Sequence, residues 1–350
     1  MSFFADLFSG KKEEKSVVLI EIGTSSVAGA YARYAENGLP AILYTRRLPI
    51  EMHSGESQEK AMLRALQVLG DTLIREGAPL LCQVAGSGSA DAIIVAIDSP
   101  WQATLVRTEQ FEDEQPFIFT RSLVEAKLKE SAVATEGKVL VDESIIGTIL
   151  NGYETRNPYG KEARRATIVV LTSFIDKHAA ESITSVLRGI FHTKHIEPIA
   201  GPSLRYQALQ KAFPHERDAL ILDATGPYTS IALMHKSFVV SISEIQVSGA
   251  DTTESWLERI EANLAELARH YPLPRTIFVL AREEEAASLR DILDTAHMGK
   301  LWLSDNPPRI VSVLASHLSG LVRQTAPTSP DLLLLLMALY VQYASLEKEL

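Results

Sequence analysis

The sequence predicts an α/β protein built from two duplicated domains that flank a cleft. Two segments about 200 residues apart, Val17–Val27 and Ala219–Leu233, are written to one grammar: four apolar residues, an acid (Glu21, Asp223), a glycine (Gly23, Gly226) with hydroxyl residues nearby, and a second strand. A glycine at that point lets the chain turn tightly beside a ligand or a second backbone. Paired turns of this kind can grip phosphates through backbone N–H groups. Strand and helix signals alternate along the rest of the chain, the order that builds sheets covered by helices. At 350 residues, 46% of them hydrophobic, the chain exceeds the roughly 250 to 300 residues at which single cores stop growing, so two core-bearing domains are expected.

Strands are predicted at Val17–Ile22, Ile42–Leu48, Ala92–Ile97, Thr167–Leu171, Ala219–Leu222, Ser230–Met234 and Thr276–Leu280. Helices are predicted where apolar residues recur at three and four, each stripe marking one buried face. The stripes are Met62, Leu66, Leu69 and Leu73; Ile183, Val186, Leu187 and Ile190; Leu257, Ile260, Leu264 and Leu267; and Val311, Leu314, Leu318 and Leu321. Loops are predicted at Gly86–Ser89, at Asn157–Pro158 and Gly160, at Gly201–Pro202 and at Asn306–Pro308. The apolar run Leu332–Val341 is half the ~20 residues of a membrane-spanning helix and reads as a last core helix buried on several sides, with no separate tether expected beyond it. The single cysteine, Cys82, excludes an internal disulfide and is expected to pack as a small apolar residue inside a strand.

The two hairpins resemble the phosphate-1 and phosphate-2 loops of the actin-like ATPase superfamily, whose duplicated domains are ribonuclease H-like. The order of segments between them resembles its bacterial FtsA and PilM branch. Glu143–Tyr153, Arg156–Lys161, Ala166–Thr172 and the helix signal that follows are similar to the small inserted subdomain of FtsA, called 1C or SHS2. Ile196–Leu204 is similar to the family's connecting segment, and Val247–Thr253 to its Gly-Gly-Asp-x-x-Thr helix start. The resemblance covers most of residues 16 to 345. It implies an actin-like domain 1 (1A) from residues 16–98 and 193–214, an inserted 1C/SHS2-like subdomain at 99–192, and an actin-like domain 2 (2A/2B) at 215–350, with 2B at about 246–300.

The same resemblance places a nucleotide cleft at Glu21, Gly23, Thr24, Ser25, Asp223, Gly226, Thr229 and Gly249, with ATP and magnesium as cofactors if that cleft functions. Phosphoryl transfer needs backbone donors, a metal and a water-positioning group around the phosphates, and three departures oppose it. Glu21 stands where the family usually has Asp, and its longer side chain displaces a coordinated magnesium or its water shell. Thr225 and Pro227 replace residues that are usually glycine; proline removes an N–H, and threonine resists a positive φ. The strand Ile277–Leu280 runs into Ala281–Ala287, with Glu283, Glu284 and Glu285 where a Gly-Gly-Gly turn passes adenine, and these carboxylates repel a polyphosphate. A cleft that does not turn over ATP is expected, with no catalytic residue assigned and no cofactor required. Glu21 and Asp223 then end strands at a domain hinge and accept hydrogen bonds from turn N–H groups.

The chain contains no Gly-x-Ser-x-Gly nucleophile, His-Glu-x-x-His pair, Walker Gly-x4-Gly-Lys-Ser or Cys-x-x-Cys pair. His192 and His195 are spaced to share a helix face but lack a nearby carboxylate cluster, so no metal site is assigned. A net charge of -10 opposes attraction to nucleic acid or anionic lipid, and neither a signal peptide nor a membrane span is evident. Residues 1–15 form an amphipathic or flexible segment: Phe3, Phe4, Leu7 and Phe8 fall on one side of two helical turns, followed by Lys11, Lys12 and Lys15. That pattern suits a peripheral membrane contact or a peptide that docks a partner groove. In the insert, Trp101, Phe117, Phe119, Asn157, Tyr159 and Lys161 are the predicted contact residues, and Lys161, Arg164 and Arg165 form a basic cluster suited to an acidic partner. The resemblance implies a cytoplasmic scaffold at the inner face of the cell membrane, contacting divisome or pilus-assembly proteins and able to form homo-oligomers or filaments. The alternative classes are an ATP-binding, filament-forming ATPase of the same fold and a sugar or acetate-type kinase, whose loops also open Ile-Gly-Thr-Ser-Ser.

Overall fold

The two acid-tipped apolar runs become central strands of two sheets with the same pattern. The computed structural model describes residues 14–35, 38–131, 136–155, 157–246, 252–296, 298–303, 307–325 and 328–346. In the first sheet, β1 (Glu14–Ile22), β2 (Ser26–Ala35) and β3 (Ala41–Pro49) form an antiparallel meander. Beside β1, β4 (Ala92–Ile97) and β9 (Ile196–Ala200) add in parallel, and β15 (Arg323–Gln324) closes the other edge. The second sheet repeats this with β10 (Ala219–Asp223), β11 (Tyr228–His235) and β12 (Phe238–Gln246) as the meander, and β13 (Thr276–Leu280) and β14 (Arg309–Ser312) in parallel. The spatial orders, β15-β3-β2-β1-β4-β9 and β12-β11-β10-β13-β14, show the duplication that the hairpins announced.

Helices cover both sheets as the apolar stripes require. On the outer face of the first sheet lie α1 (Gln58–Thr72), capped where Ser57 accepts from the Lys60 N–H, and α2 (Ala78–Ala85). α1 packs with α4 (Lys177–Phe191), whose Ile183 and Leu187 join Met62, Leu66 and Leu69 in one core that also takes in Leu81 of α2. α6 (Thr253–Ala268) and α7 (Glu283–Thr295) cover the outer face of the second sheet. Between the sheets run α5 (Gly201–Ala212) and α8 (Leu332–Leu346). α8 is apolar all round because both sheets and α5 enclose it; Leu334, Leu336, Ala338 and Val341 are fully buried. Each such leucine contributes about 1.5–3 kcal/mol. Between β4 and α4 the chain builds a third, antiparallel sheet ordered β5-β8-β6-β7, from β5 (Gln102–Ile118), β6 (Lys138–Leu150), β7 (Tyr153–Glu154) and β8 (Glu162–Asp176). α3 (Arg121–Glu130) closes one face of it over Phe111, Phe119, Ile168 and Val170.

Three expectations are corrected. The stripe Val311, Leu314, Leu318 and Leu321 is not a helix: Val311 lies in β14, paired in parallel with Phe278, and only Ala315–Leu318 form a short 3-10 turn. An apolar run this short fits either period, and an open edge on β13 decides in favour of the strand. Cys82 lies exposed on α2 rather than inside a strand. The Pro79 at the helix start favours helix, and α2 buries only Leu81. Gly201–Pro202 is not a loop but the first turn of α5, where proline loses no hydrogen bond. Phe3, Phe4, Leu7, Phe8, Gly249 and Asn306 lie outside the described residues. No helix among the described residues is long and apolar enough to cross a membrane.

Candidate functional site

Three strands deliver an acid to the cleft. Glu21 is the last residue but one of β1, β10 ends at Asp223, and Asp98 follows β4; Glu21 and Asp223 are each 2% exposed. The run Ile93–Asp98 has the hairpins' grammar of buried strand and terminal acid, a signal present in the sequence but not singled out from it. Two arginines fill the space between these acids. Arg47 of β3 donates from Nη1 to Glu21 and to the Ser26 hydroxyl, both at 2.8 Å, and grips Asp331 with Nε at 2.8 Å and Nη2 at 3.0 Å. Arg205 of α5 donates to both Asp98 oxygens at 2.8 and 3.1 Å, and its Nε lies 2.5 Å from Asp223 Oδ2 as a direct ion contact. Arginine suits both places because its planar fork serves two carboxylates at fixed angles.

The turns beyond the acids are held by their own side chains. Gly23 N–H donates to the Ser26 carbonyl at 2.9 Å, and the Thr24 hydroxyl donates to the Ser99 carbonyl. Arg282, just before α7, reaches across the cleft to the Ser25 hydroxyl at 2.9 Å. Asp223 Oδ1 accepts from Thr225 N–H at 3.2 Å and from its hydroxyl at 2.6 Å, the turn-capping role open to a strand-end acid. Thr229 accepts from Trp256 Nε1 at 2.9 Å, which ties α6 to β11. Gly23 is needed for space, since a Cβ there would lie 2.9 Å from Glu21 Oε1, whereas a Cβ on Gly226 would meet nothing within 4 Å. Neither Gly226 nor Thr225 has a positive φ, so the second turn does not depend on glycine as expected.

The cleft carries more negative than positive charge. Glu21, Asp98, Asp223, Asp331 and Glu244 share Arg47 and Arg205; Glu244 of β12 accepts from Ser99 Oγ at 2.6 Å and Gln102 Nε2 at 2.8 Å, joining the second sheet to the base of the insert. Burial pushes the Glu21 carboxyl up to about 8, with Asp98 and Asp331 adding to the rise against the pull of Arg47. Burial also raises Glu244, opposed by its hydrogen bonds from Ser99 and Gln102. Both arginines lose some basicity to burial, and the carboxylates around them more than restore it.

The Arg47 and Arg205 guanidiniums stand in the gap between the hairpin acids. The free space between the hairpins is about 30 Å³, room for about one or two waters. Larger cavities adjoin it: about 460 Å³ between Arg47, Thr225, Arg282, Leu314 and the start of α8, and about 400 Å³ beside Gly226, Trp256, Thr252 and Glu285. Among the described residues no group of three His, Cys, Asp or Glu side chains is placed to hold a metal ion. Of the site residues predicted from sequence, the structure gathers Glu21, Gly23, Thr24, Ser25, Asp223 and Gly226 in one cleft; Thr229 borders the side cavity at Trp256. Sequence reading passed over Arg47, Asp98, Arg205, Glu244, Arg282 and Asp331. An arginine within the buried run Leu204-Arg205-Tyr206 is the one further mark of this network that the sequence carried.

The predicted contact residues of the insert divide. Trp101 and Phe119 are buried, Trp101 in the core of the first sheet and Phe119 beneath α3. Asn157, Tyr159 and Lys161 are exposed, in the loop leading into β8. Tyr159 stacks on Phe119 with ring centroids 5.8 Å apart, and the Arg121 guanidinium sits 5.2 Å from its centroid.

No family model matches the chain, and no curated protein matches it. Solved structures do. A PilM–PilN type IV pilus biogenesis complex aligns with 96% of this chain and 99% of its own at 15% identity and a TM-score of 0.56. A protein of Bacteroides thetaiotaomicron with an actin-like ATPase fold and unknown function aligns over 80% and 89% at 12% identity and a TM-score of 0.40. An exopolyphosphatase from Cytophaga hutchinsonii aligns over 82% and 72% at 10% identity and a TM-score of 0.41. The likeness is one of fold: the chain has the actin-like ATPase fold expected from its hairpins, with PilM among the proteins that share it.

Proposed function

We propose that this chain is an actin-like scaffold that works through protein–protein contacts, with a cleft held shut by its own arginines. The observation that carries the reading is the placement of the Arg47 and Arg205 guanidiniums between the hairpin acids, where an actin-like ATPase needs its phosphates and metal. Arg205 is already committed to the carboxylates of Asp98 and Asp223, and Arg47 to the Asp331 carboxylate and the Glu21 carboxyl, so a polyphosphate entering the cleft has to break buried ion pairs before it gains any contact.

The setting is a membrane-associated machine of the type IV pilus kind. PilM, whose fold this chain has along almost its whole length, stands in a complex with PilN, and a partner at the inner face of the membrane is the corresponding role here. The insert at 99–192, equivalent in this reading to the 1C subdomain, is the contact surface, with Asn157, Tyr159 and Lys161 as its exposed residues. Phe3, Phe4, Leu7 and Phe8 supply a second contact, to lipid or protein.

Calorimetric titration of the purified chain with ATP and magnesium tests the closed cleft. The expected result is neither heat of binding nor a rise in melting temperature up to millimolar nucleotide. Micromolar binding overturns the reading in favour of a nucleotide-switched ATPase.

A further inference from the structure

The insert ends in a surface that carries apolar side chains and unspent charge of both signs. Tyr153, Ile118 and Tyr159 are 78%, 53% and 42% exposed there. Tyr159 is already ordered by Phe119 and Arg121, so placing it in an interface costs little rotamer entropy. Around these residues Arg121, Lys161, Arg164 and Arg165 are all exposed, and none is in an ion pair among the described residues. Beside them β5 loses register with β8 between Glu112 and Phe117, and Glu112, Asp113 and Glu114 stand exposed and likewise unpaired. Glu112 lies opposite Arg165 in the strand register, yet the two do not bridge.

We infer that this end of the insert is a self-association surface, where two copies meet about a two-fold axis with the basic cluster of each on the acidic bulge of the other. The inference rests on the insert being a contact surface and is independent of what the cleft binds. A two-fold interface must be self-complementary. Adjacent clusters of opposite sign meet that condition, since a half-turn lays each on its opposite. Exposed tyrosines and an isoleucine ringed by charge have the make-up of an interface core and rim. The overall charge of -10 repels two copies elsewhere, so matched charges select this end. Pro116 and the acids of the bulge blunt the outer edge of β5, which disfavours strand-to-strand stacking and leaves side-chain contact as the mode.

Sedimentation velocity on the full chain tests the inference. The expected result is a monomer–dimer equilibrium that weakens roughly tenfold between low and high salt, as several exposed ion pairs require. Lys161→Glu with Arg164→Glu gives one charge-reversed variant, and Glu112→Lys with Glu114→Lys gives the other. Each alone is expected to be monomeric, and a one-to-one mixture to restore the dimer. The restored mixture also shows that both variants fold, and circular dichroism checks each separately. A wild type that stays monomeric at low salt and high concentration overturns the inference, as does a dimer that neither variant weakens. A partner of other identity on this surface gives the first of these results. Nucleotide titration reads the cleft and not this end, so failure of one proposal leaves the other standing.

Discussion

Arg205 of α5 meets Asp223 of β10 at 2.5 Å, so a cation carried by the helix that follows the first sheet sits on the acid of the second sheet's hairpin. Its other face holds Asp98, at the end of β4. One guanidinium therefore ties together the strand ends of both halves. Arg47 does the same for Glu21 and the start of α8.

Arg205→Ala is expected to destabilise the fold by about 3–5 kcal/mol, because it leaves Asp98 and Asp223 without their buried countercharge. Arg205→Lys recovers only part of this, since an ammonium cannot serve two carboxylates in a planar fork. Urea denaturation of the three proteins measures the series.

Two glycines make a matched pair. A Cβ on Gly201 would lie 2.0 Å from Asp98 Oδ1 and 2.8 Å from Arg205 Nη1, whereas one on Gly226 has open space. Gly201→Ala is expected to lower stability by about 1–3 kcal/mol, and Gly226→Ala to change it by less than about 0.5 kcal/mol. Equal melting temperatures for the two variants would refute this account of the cleft.

Asp331 has two roles that substitution separates. It caps α8, accepting from Leu334 N–H at 3.2 Å, and it pairs with Arg47. Asp331→Asn keeps the cap and weakens the pair; Asp331→Ala loses both, at a further cost of about 1 kcal/mol. Amide exchange at Leu334 is expected to rise in the alanine variant and to stay near wild type in the asparagine variant.

Glu21 sets a pH dependence whose sign is fixed by its burial. Its folded pKa is pushed up to about 8 from an ordinary 4.5. Between those values the folded chain keeps a proton that the unfolded chain releases. The stability it contributes is full below pH 4.5 and is lost as pH rises through about 8. Glu21→Gln is expected to flatten the fall in melting temperature from about pH 5 to about pH 8, a difference on the order of 1–3 kcal/mol. An unchanged slope would show that Glu21 stays ionised beside Arg47.

Much of the fold was legible along the chain. The hairpins at Glu21 and Asp223 marked the duplication because buried strand, acid and glycine turn is a local pattern, and the stripes Met62–Leu73 and Ile183–Ile190 marked helices because a one-sided core imposes the helical period. The segment Val311–Leu321 was misread because its apolar residues satisfy a helical stripe, and only the free edge of β13 turns Val311 into a strand. Part of the site was legible as well: the acids Glu21 and Asp223, but not Asp98, Asp331 or Glu244, nor the arginines they hold.

By itself the sequence determined the two acid-tipped hairpins, the apolarity of α8 and the alternation that makes an α/β fold, all of which are encoded within a few residues of one another. Only the tertiary structure decided that the cleft is filled. Arg47 stands 26 residues from Glu21 and 284 from Asp331, and Arg205 stands 107 from Asp98. An arginine on β3 or in α5 looks alike in sequence whether it faces water or a carboxylate. The difference arises when two sheets close on shared helices, and buried acids must then find a countercharge or keep a proton.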